Sequence, residues 1–229
     1  MDQEWYHSGN YITMMLERPK FWRMIMKTGT NMLFLDVDTA VISNPMAELV
    51  GDADLEGQID EFHLIVAKNQ HKCPQLCGGA FFLKANHRSI LFLDRVEKAL
   101  AEEMEGVVDD QQAINHVIHN YEVARILNRY QKGKEVPYGG FPEDPEDDRL
   151  TVRFVPIERF MNGHIWGTSV STTLGTNTKS GMTMVFTQKG FEGEFEPALM
   201  HLNGIVSKES TMKRFGWWWL QDDLRCSLS

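Results

Sequence analysis

The run Asn31-Met32-Leu33-Phe34-Leu35-Asp36-Val37-Asp38 constrains the fold more than any other stretch of this sequence. A short apolar run that ends in charge suits a buried strand of a parallel sheet, where both faces are covered. In open α/β sheets, ligands collect outside the carboxyl ends of the strands, and Asp36 and Asp38 fall at that edge. Residues i and i+2 of an extended segment point the same way, so both carboxylates could face one cation. Mg²⁺ and Mn²⁺ want hard oxygen ligands and are often held by one or two carboxylates plus substrate phosphates. A turn with two solvated aspartates would read the same, so the motif needs company.

The rest of the chain alternates strands and helices. Asn10 to Lys27 reads as a helix whose apolar residues, Met14, Met15, Phe21, Met24, Ile25 and Met26, are too crowded for a clean stripe. Pro19 argues for a break or a first turn there. His63–Lys68 and Ala80–Lys84 are strand candidates, separated by a Cys/Pro/Gly-rich loop that ends in Cys77-Gly78-Gly79. Ser89–Glu105 is the clearest helix, with Leu93, Val96, Leu100 and Met104 on one face. A second helix opens at Asp109-Asp110, whose carboxylates suit a helix N-terminus, and carries Ala113, Ile114, Val117 and Ile118 inward. Residues 131–149 read as a Pro/Gly/acidic loop, Leu150–Pro156 as a strand, and 167–181 as an exposed Thr/Ser-rich loop or insertion. Met182–Phe186 and Ala198–Leu202 read as late strands, and the tail from Ser207 mixes a helix with the aromatic block Trp217-Trp218-Trp219. The expected class is α/β with a mostly parallel central sheet.

Composition removes several alternatives. The net charge is −9, and no stripe of Lys and Arg offers the clustered cations that phosphate-backbone binding needs, so nucleic acid is not an expected partner. An acidic protein that handles phosphorylated substrates usually needs a cation to mediate the contact. Cys73, Cys77 and Cys226 are too few for a disulfide scaffold, although Cys73 and Cys77 could pair in a loop. No run approaches the roughly 20 apolar residues that span a bilayer. The first residues have neither the basic nor the apolar region of a signal peptide.

A second constellation is His201-Leu202-Asn203-Gly204-Ile205-Val206-Ser207-Lys208. A glycine that permits close backbone approach follows the histidine, and a lysine comes within the next turn or two. Such a segment could offer a neutral imidazole to a metal and an ammonium to a diphosphate. A histidine after a strand is otherwise usually structural.

Taken in order, these residues resemble a known family. Leu33–Pro45 looks like the metal-binding segment of the nucleotide-diphospho-sugar transferases, which include the plant rhamnogalacturonan xylosyltransferases and related arabinosyl- and galactosyltransferases. Gly78–Asn86 is similar to the family's Gly-aromatic strand. Asp110-Gln111 opening a helix, Phe160-Met161-Asn162-Gly163, and His201-x-Asn203-Gly204 with Lys208 follow in the family's order. The resemblance covers roughly residues 10–215 and implies a GT-A-like fold in a single domain over 1–229, with an insertion at about 163–197.

The implied function is a metal-dependent glycosyltransferase that moves a sugar from a nucleoside-diphosphate sugar to an acceptor hydroxyl on a glycan, a glycoprotein or a small molecule. Asp36, Asp38 and His201 would hold Mn²⁺ or Mg²⁺, and Lys208 would contact the diphosphate beside Gly204. Gly78, Gly79, Asp110 and Gln111 would line the sugar or acceptor pocket, with Asp110 and Gln111 as the catalytic pair. Tight turns and a helix cap are the bland readings of the glycines and of Asp110. Members of the group are typically retaining and reside in the Golgi, so a secretory lumen is expected. The family places a strand-helix-strand nucleotide-binding part before the Asp-x-Asp, and only 35 residues precede Asp36 here. The expectation is therefore a fold that lacks the N-terminal part of that half. Arg18 would occupy a basic position that the family uses near the donor.

Two other readings stand beside this one. Leu33–Thr39 also resembles the first motif of haloacid-dehalogenase-type phosphatases, with Asp36 as nucleophile, Asp38 as acid/base and Asp109-Asp110 as a late acidic pair. A truncated, non-catalytic transferase-like domain would bind a glycan or a partner, with Trp217–Trp219 stacking on sugar rings or docked on the core.

Overall fold

The computed structural model describes residues 9–49, 53–60, 75–102, 109–119, 124–126, 128–131, 134–137, 148–163, 170–173, 183–186, 193–195, 197–205, 207–215 and 217. In chain order the elements are α1 (Gly9–Lys27), β1 (Met32–Leu35), β2 (Thr39–Val41), β3 (Leu55–Ile59), β4 (Leu76–Leu83), α2 (His87–Ala101), α3 (Asp110–His119) and β5 (Ala124–Ile126). There follow β6 (Asn128–Gln131), β7 (Lys134–Pro137), β8 (Leu150–Phe154), β9 (Phe160–Asn162), β10 (Val170–Thr173), β11 (Thr183–Phe186), β12 (Gly193–Phe195), β13 (Leu199–His201) and α4 (Lys208–Arg214). They form two units, one from Met1–Leu35 with Leu49–Val155 and one from Asp36–Glu48 with Pro156–Ser229.

The first unit is built on a five-stranded sheet in the order β1-β4-β3-β8-β5. β4 runs antiparallel to both β1 and β3, whereas β3, β8 and β5 pair in parallel. Four strands thus share one direction and β4 is reversed. The expected parallel setting of β1 is corrected: its paired neighbour is the reversed β4, and three of its four residues are only half-buried.

Helix α1 passes through Pro19 without a break. Tyr11, Met15, Pro19, Trp22 and Met26 recur at helical spacing and are buried, while Met14, Phe21 and Met24 face out. α1 packs on α2 and α3. That burial outweighs the roughly 3 kcal/mol that an interior proline costs a helix. Trp22 meets the rings of Phe34 and Phe81 edge-on at 5.0 and 5.1 Å, and those two rings stack on each other across the β1–β4 pair. α2 buries Phe92, Leu93, Val96, Ala99 and Leu100, and its N-terminus is capped by Asn86, which accepts from Ser89 N at 2.9 Å. Met104 lies outside the described residues, as do the strand candidate His63–Lys68, Cys73, Trp218 and Trp219.

Cys77-Gly78-Gly79 belongs to β4 and not to a loop. The register of β3 against β4 jumps from Gly57↔Phe81 to Ile59↔Leu76, so Cys77–Ala80 stand opposite Gln58 alone. A bulge of that size deprives backbone groups of ladder partners, and α3 supplies replacements. Asn115 accepts from Leu76 N at 2.7 Å and donates to Leu76 O at 2.8 Å, while Gln111 Oε1 accepts from Gly78 N at 2.8 Å. A Cβ on Gly78 would lie 2.9 Å from that of Gln111, so the close approach requires glycine. The sequence pattern alone, rich in Cys, Pro and Gly, gives no sign of side-chain amides finishing a strand.

Asp54 ties three elements together. Its Oδ1 accepts from Asn86 and Arg88, and its Oδ2 accepts from Arg88 and from both the amide and the hydroxyl of Thr151, all at 2.6–2.9 Å. Burial pushes this carboxyl up, but the hydrogen bonds from Arg88, Thr151 and Asn86 outweigh it and hold the pKa below its ordinary value. Next along β3, Glu56 is fully buried and pairs with Arg153, its register partner on β8, at 2.8 Å.

In the second unit, β13 is the middle strand of a three-stranded sheet, antiparallel to β2 and parallel to β9. β10, β11 and β12 form an antiparallel sheet of their own, so the Thr/Ser-rich segment contains strand at 170–173. Asn203 Oδ1 accepts from Gly163 N at 2.8 Å, and a Cβ on Gly163 would fall 2.1 Å from Asn203 O. Trp217 is buried and donates its amide to Met212 O at 2.8 Å. No helix among the described residues is long and apolar enough to cross a membrane.

Two stability changes follow. Asp54→Asn removes a charge that accepts five hydrogen bonds and is expected to cost about 2–4 kcal/mol, read from urea unfolding at pH 7. Because the folded pKa is depressed, this contribution is present above about pH 4 and lost as pH falls through the folded value, so wild type and variant should converge in acid. An undiminished gap at pH 3 would refute the charge account. Gly163→Ala should cost at least about 2 kcal/mol, because backbone, not a flexible side chain, occupies the space its methyl needs. A melting temperature within a degree of wild type would contradict it.

Candidate metal centre

Asp36 and Asp38 do not lie in an extended segment. They belong to a turn of residues 36–39, closed by Thr39 N donating to Asp36 O at 3.0 Å, in which Val37 and Asp38 are the central pair and Val37 is fully exposed. The turn starts where β1 ends and delivers the chain into β2. Strand pairing then does what the i, i+2 alternation was expected to do. Thr39 is the register partner of His201, and Leu202 N donates to Asp38 O at 3.0 Å. The last residue of β13 is thereby fixed against the turn.

The outcome is a cluster of three potential ligands within the second unit. His201 Nε2 lies 3.3 Å from Asp38 Oδ1 and 3.7 Å from Asp36 Oδ2. One ligand atom from each of the three residues lies within 4.8 Å of the others. An octahedral ion with bonds of about 2.1 Å sets its ligands about 3 Å apart when adjacent and about 4.2 Å when opposite, so the cluster suits such an ion after small rotations. Two carboxylates with one imidazole are also a chemically suitable donor set for a divalent cation. His201 is nearly buried, whereas the Asp36 side chain is 34% exposed, so the cluster opens to solvent on the Asp36 side.

Lys208, the first residue of α4, places Nζ 2.5 Å from Asp38 Oδ2. Burial raises the pKa of Asp38, but hydrogen bonds from His201 and Lys208, helped by their charges, hold it far below the usual carboxylate range. Asp38 is therefore a committed anion. Between His201 and Lys208 the chain turns at Gly204, whose φ of +71° suits glycine. Asn203 anchors that turn to Gly163 at the end of β9, and Asn162, the register partner of His201, is fully buried beside it. The Phe160–Gly163 and His201–Gly204 motifs thus meet as neighbouring parallel strands. Asn162, Gly163 and Asn203 were not singled out as site residues. Their signal in the sequence is the Asn-Gly dipeptide that stands at the end of β9 and in the turn after β13.

The remaining site candidates lie in the first unit. Asp109 caps α3, accepting from Gln112 N at 2.8 Å. Asp110 is not the cap: it is buried and pairs with Arg18 at 3.0 Å. The Arg18 guanidinium in turn lies over the rings of Phe34 and Trp22 at 4.6 and 5.4 Å. Gln111 joins Gly78 N to Asp60, to which its Nε2 donates at 3.0 Å. Gly79 is buried within β4. Asp110, Gln111, Gly78 and Arg18 are therefore brought together around the start of α3. With Asp109 used as a cap and Asp110 bound to Arg18, the acidic pair does not favour the phosphatase alternative.

Comparison with known proteins identifies the family. The family model described as nucleotide-diphospho-sugar transferase matches residues 2–215 and so spans both units. The chain is also similar to the UDP-galactose:fucoside alpha-3-galactosyltransferase of Dictyostelium discoideum, at 24% identity over 217 residues. That alignment covers 90% of this chain and 28% of the relative, so the chain spans less than a third of that protein's length. On a family match that runs over nearly its whole length and takes in both carboxylates, the histidine and the lysine, the chain belongs to the nucleotide-diphospho-sugar transferases.

Proposed function

We propose that this chain is a metal-dependent glycosyltransferase that moves a sugar from a nucleoside-diphosphate donor to an acceptor hydroxyl. The observation that carries the reading is the convergence of Asp36, Asp38 and His201 with Lys208 on the same carboxylate. Family membership supports the nucleotide sugar as donor. The Dictyostelium relative's name includes UDP-galactose, which makes UDP the first nucleotide to try. We take the two units as one transferase domain, since the family match runs through both.

In this reading Asp36, Asp38 and His201 hold the ion, Mn²⁺ or Mg²⁺. A divalent cation held there supplies Lewis-acid neutralisation of the charge that grows on the departing diphosphate. Lys208 adds a positive charge for the same diphosphate, and Gly204 lets the backbone approach closely. As the bond from the sugar's anomeric carbon to the diphosphate oxygen breaks and its electron pair leaves with the diphosphate, the acceptor oxygen bonds to that carbon on the same face and its proton passes to the departing diphosphate. Asp110 and Gln111 are assigned to the sugar and acceptor, with Gly78 and Gly79 as pocket lining. In support, Arg18 and Gly78 orient both side chains without a substrate group. We take the transfer to be retaining and its setting to be the Golgi lumen, as in the transferases that the sequence resembles.

Asp38→Ala tests the centre. In the wild type, UDP should raise the melting temperature in the presence of Mn²⁺ and not in its absence. The variant should lose that rise and at least about 10²-fold in transfer rate, with its circular dichroism unchanged. A variant that keeps the Mn²⁺-dependent rise would remove Asp38 from the ion's ligands.

A further inference from the structure

The two oxygens of Asp38 are divided between two partners. Oδ1 faces His201 Nε2 at 3.3 Å, and Oδ2 holds the Lys208 ammonium at 2.5 Å. A divalent ion that draws on Asp38 must share or take that carboxylate. It also brings a double charge close to an ammonium that already occupies half of it. The side chain of Lys208 is 35% exposed against 16% for Asp38, so the ammonium stands on the solvent side of the pair. Its anchor is the first residue of α4, and its stem has four rotatable carbons, so it can leave Asp38 without moving the helix. A diphosphate offers more negative charge than a carboxylate already shared with a cation.

We propose that Lys208 is an exchangeable counter-ion, which competes with the divalent cation for Asp38 and is drawn away by the donor's diphosphate, so that cation and donor bind cooperatively. This rests on the transferase reading above and adds an order to it. The cation alone binds against the lysine, the diphosphate removes that competition, and each ligand strengthens the other by the same factor. The exchange also keeps the carboxylate pair compensated at every stage, because one cation leaves Asp38 as another takes it. Lysine suits the task better than arginine, whose two-pronged grip on a carboxylate is harder to release.

The test measures Mn²⁺ affinity from the electron paramagnetic resonance signal of free Mn²⁺, with and without UDP, in wild type and Lys208→Met. Methionine keeps the apolar stem and removes the charge. With no nucleotide, the variant should bind Mn²⁺ about three- to tenfold more tightly than wild type, an increase on removing a residue of the site. UDP should tighten Mn²⁺ binding strongly in wild type and much less in the variant. If the variant binds Mn²⁺ no better than wild type while UDP still tightens wild-type binding, the exchange is wrong and the transferase site stands. If no form binds Mn²⁺ even with UDP, the transferase reading falls and takes this proposal with it. Circular dichroism checks the fold, and Lys208→Gln carries the same comparison should the methionine variant fail to fold.

Discussion

Antiparallel pairing of β13 with β2 is the interaction on which the candidate metal centre depends. Asp36 and Asp38 stand early in the chain and His201 near its end, yet the ladder between Thr39 and His201 and the bond from Leu202 N to Asp38 O fix them side by side. Backbone hydrogen bonds hold both segments, so the positions of the ligating side chains do not rest on their own weak mutual contacts. The charge balance follows from that placement. Two carboxylates and an imidazole compressed into a few ångströms need a cation, and Lys208 provides one at Asp38. The turn at Gly204, pinned by Asn203 to Gly163, sets the reach from the histidine to the lysine.

The first unit obeys the same economy by different means. It buries Asp54 and Glu56, which an apolar interior tolerates only when their polar atoms are matched. Asp54 gathers Arg88, Asn86 and Thr151, Glu56 takes Arg153, and the bulge of β4 is closed by the amides of Gln111 and Asn115. Gln111 and Asp110 thereby acquire single orientations before any ligand is considered. Pre-set geometry of that kind is what positions a reacting group at low cost. The ring cluster of Trp22, Phe34 and Phe81 completes the arrangement, since it seats Arg18 where its guanidinium meets Asp110.

Elements whose pattern is carried by neighbours along the chain were readable in advance. The apolar run before Asp36, the stripe of α2, the Asp109 cap with Ala113, Ile114, Val117 and Ile118 on α3, and the short strands β8, β11 and β13 all appear close to where the residues suggested. What failed had partners far away. Pro19 does not break α1, because packing decides whether a helix tolerates it. Gly78 belongs to a strand, because an amide on α3 supplies its missing hydrogen bond. Asp110 is an ion-pair partner and not a cap, because Arg18 reaches it from another helix.

The division for the site is equally clear. The sequence by itself determined the chemistry: two carboxylates, an imidazole and an ammonium in a fixed order, enough to name a metal and a diphosphate as the expected ligands. Only the tertiary structure decided that they meet, and how: by a turn in place of an extended segment, and with Lys208 already on Asp38. Local propensity depends on the nearest few residues and is written in their order. Contact between residues 36–38 and 201–208 depends on strand register across most of the chain, which no local pattern encodes.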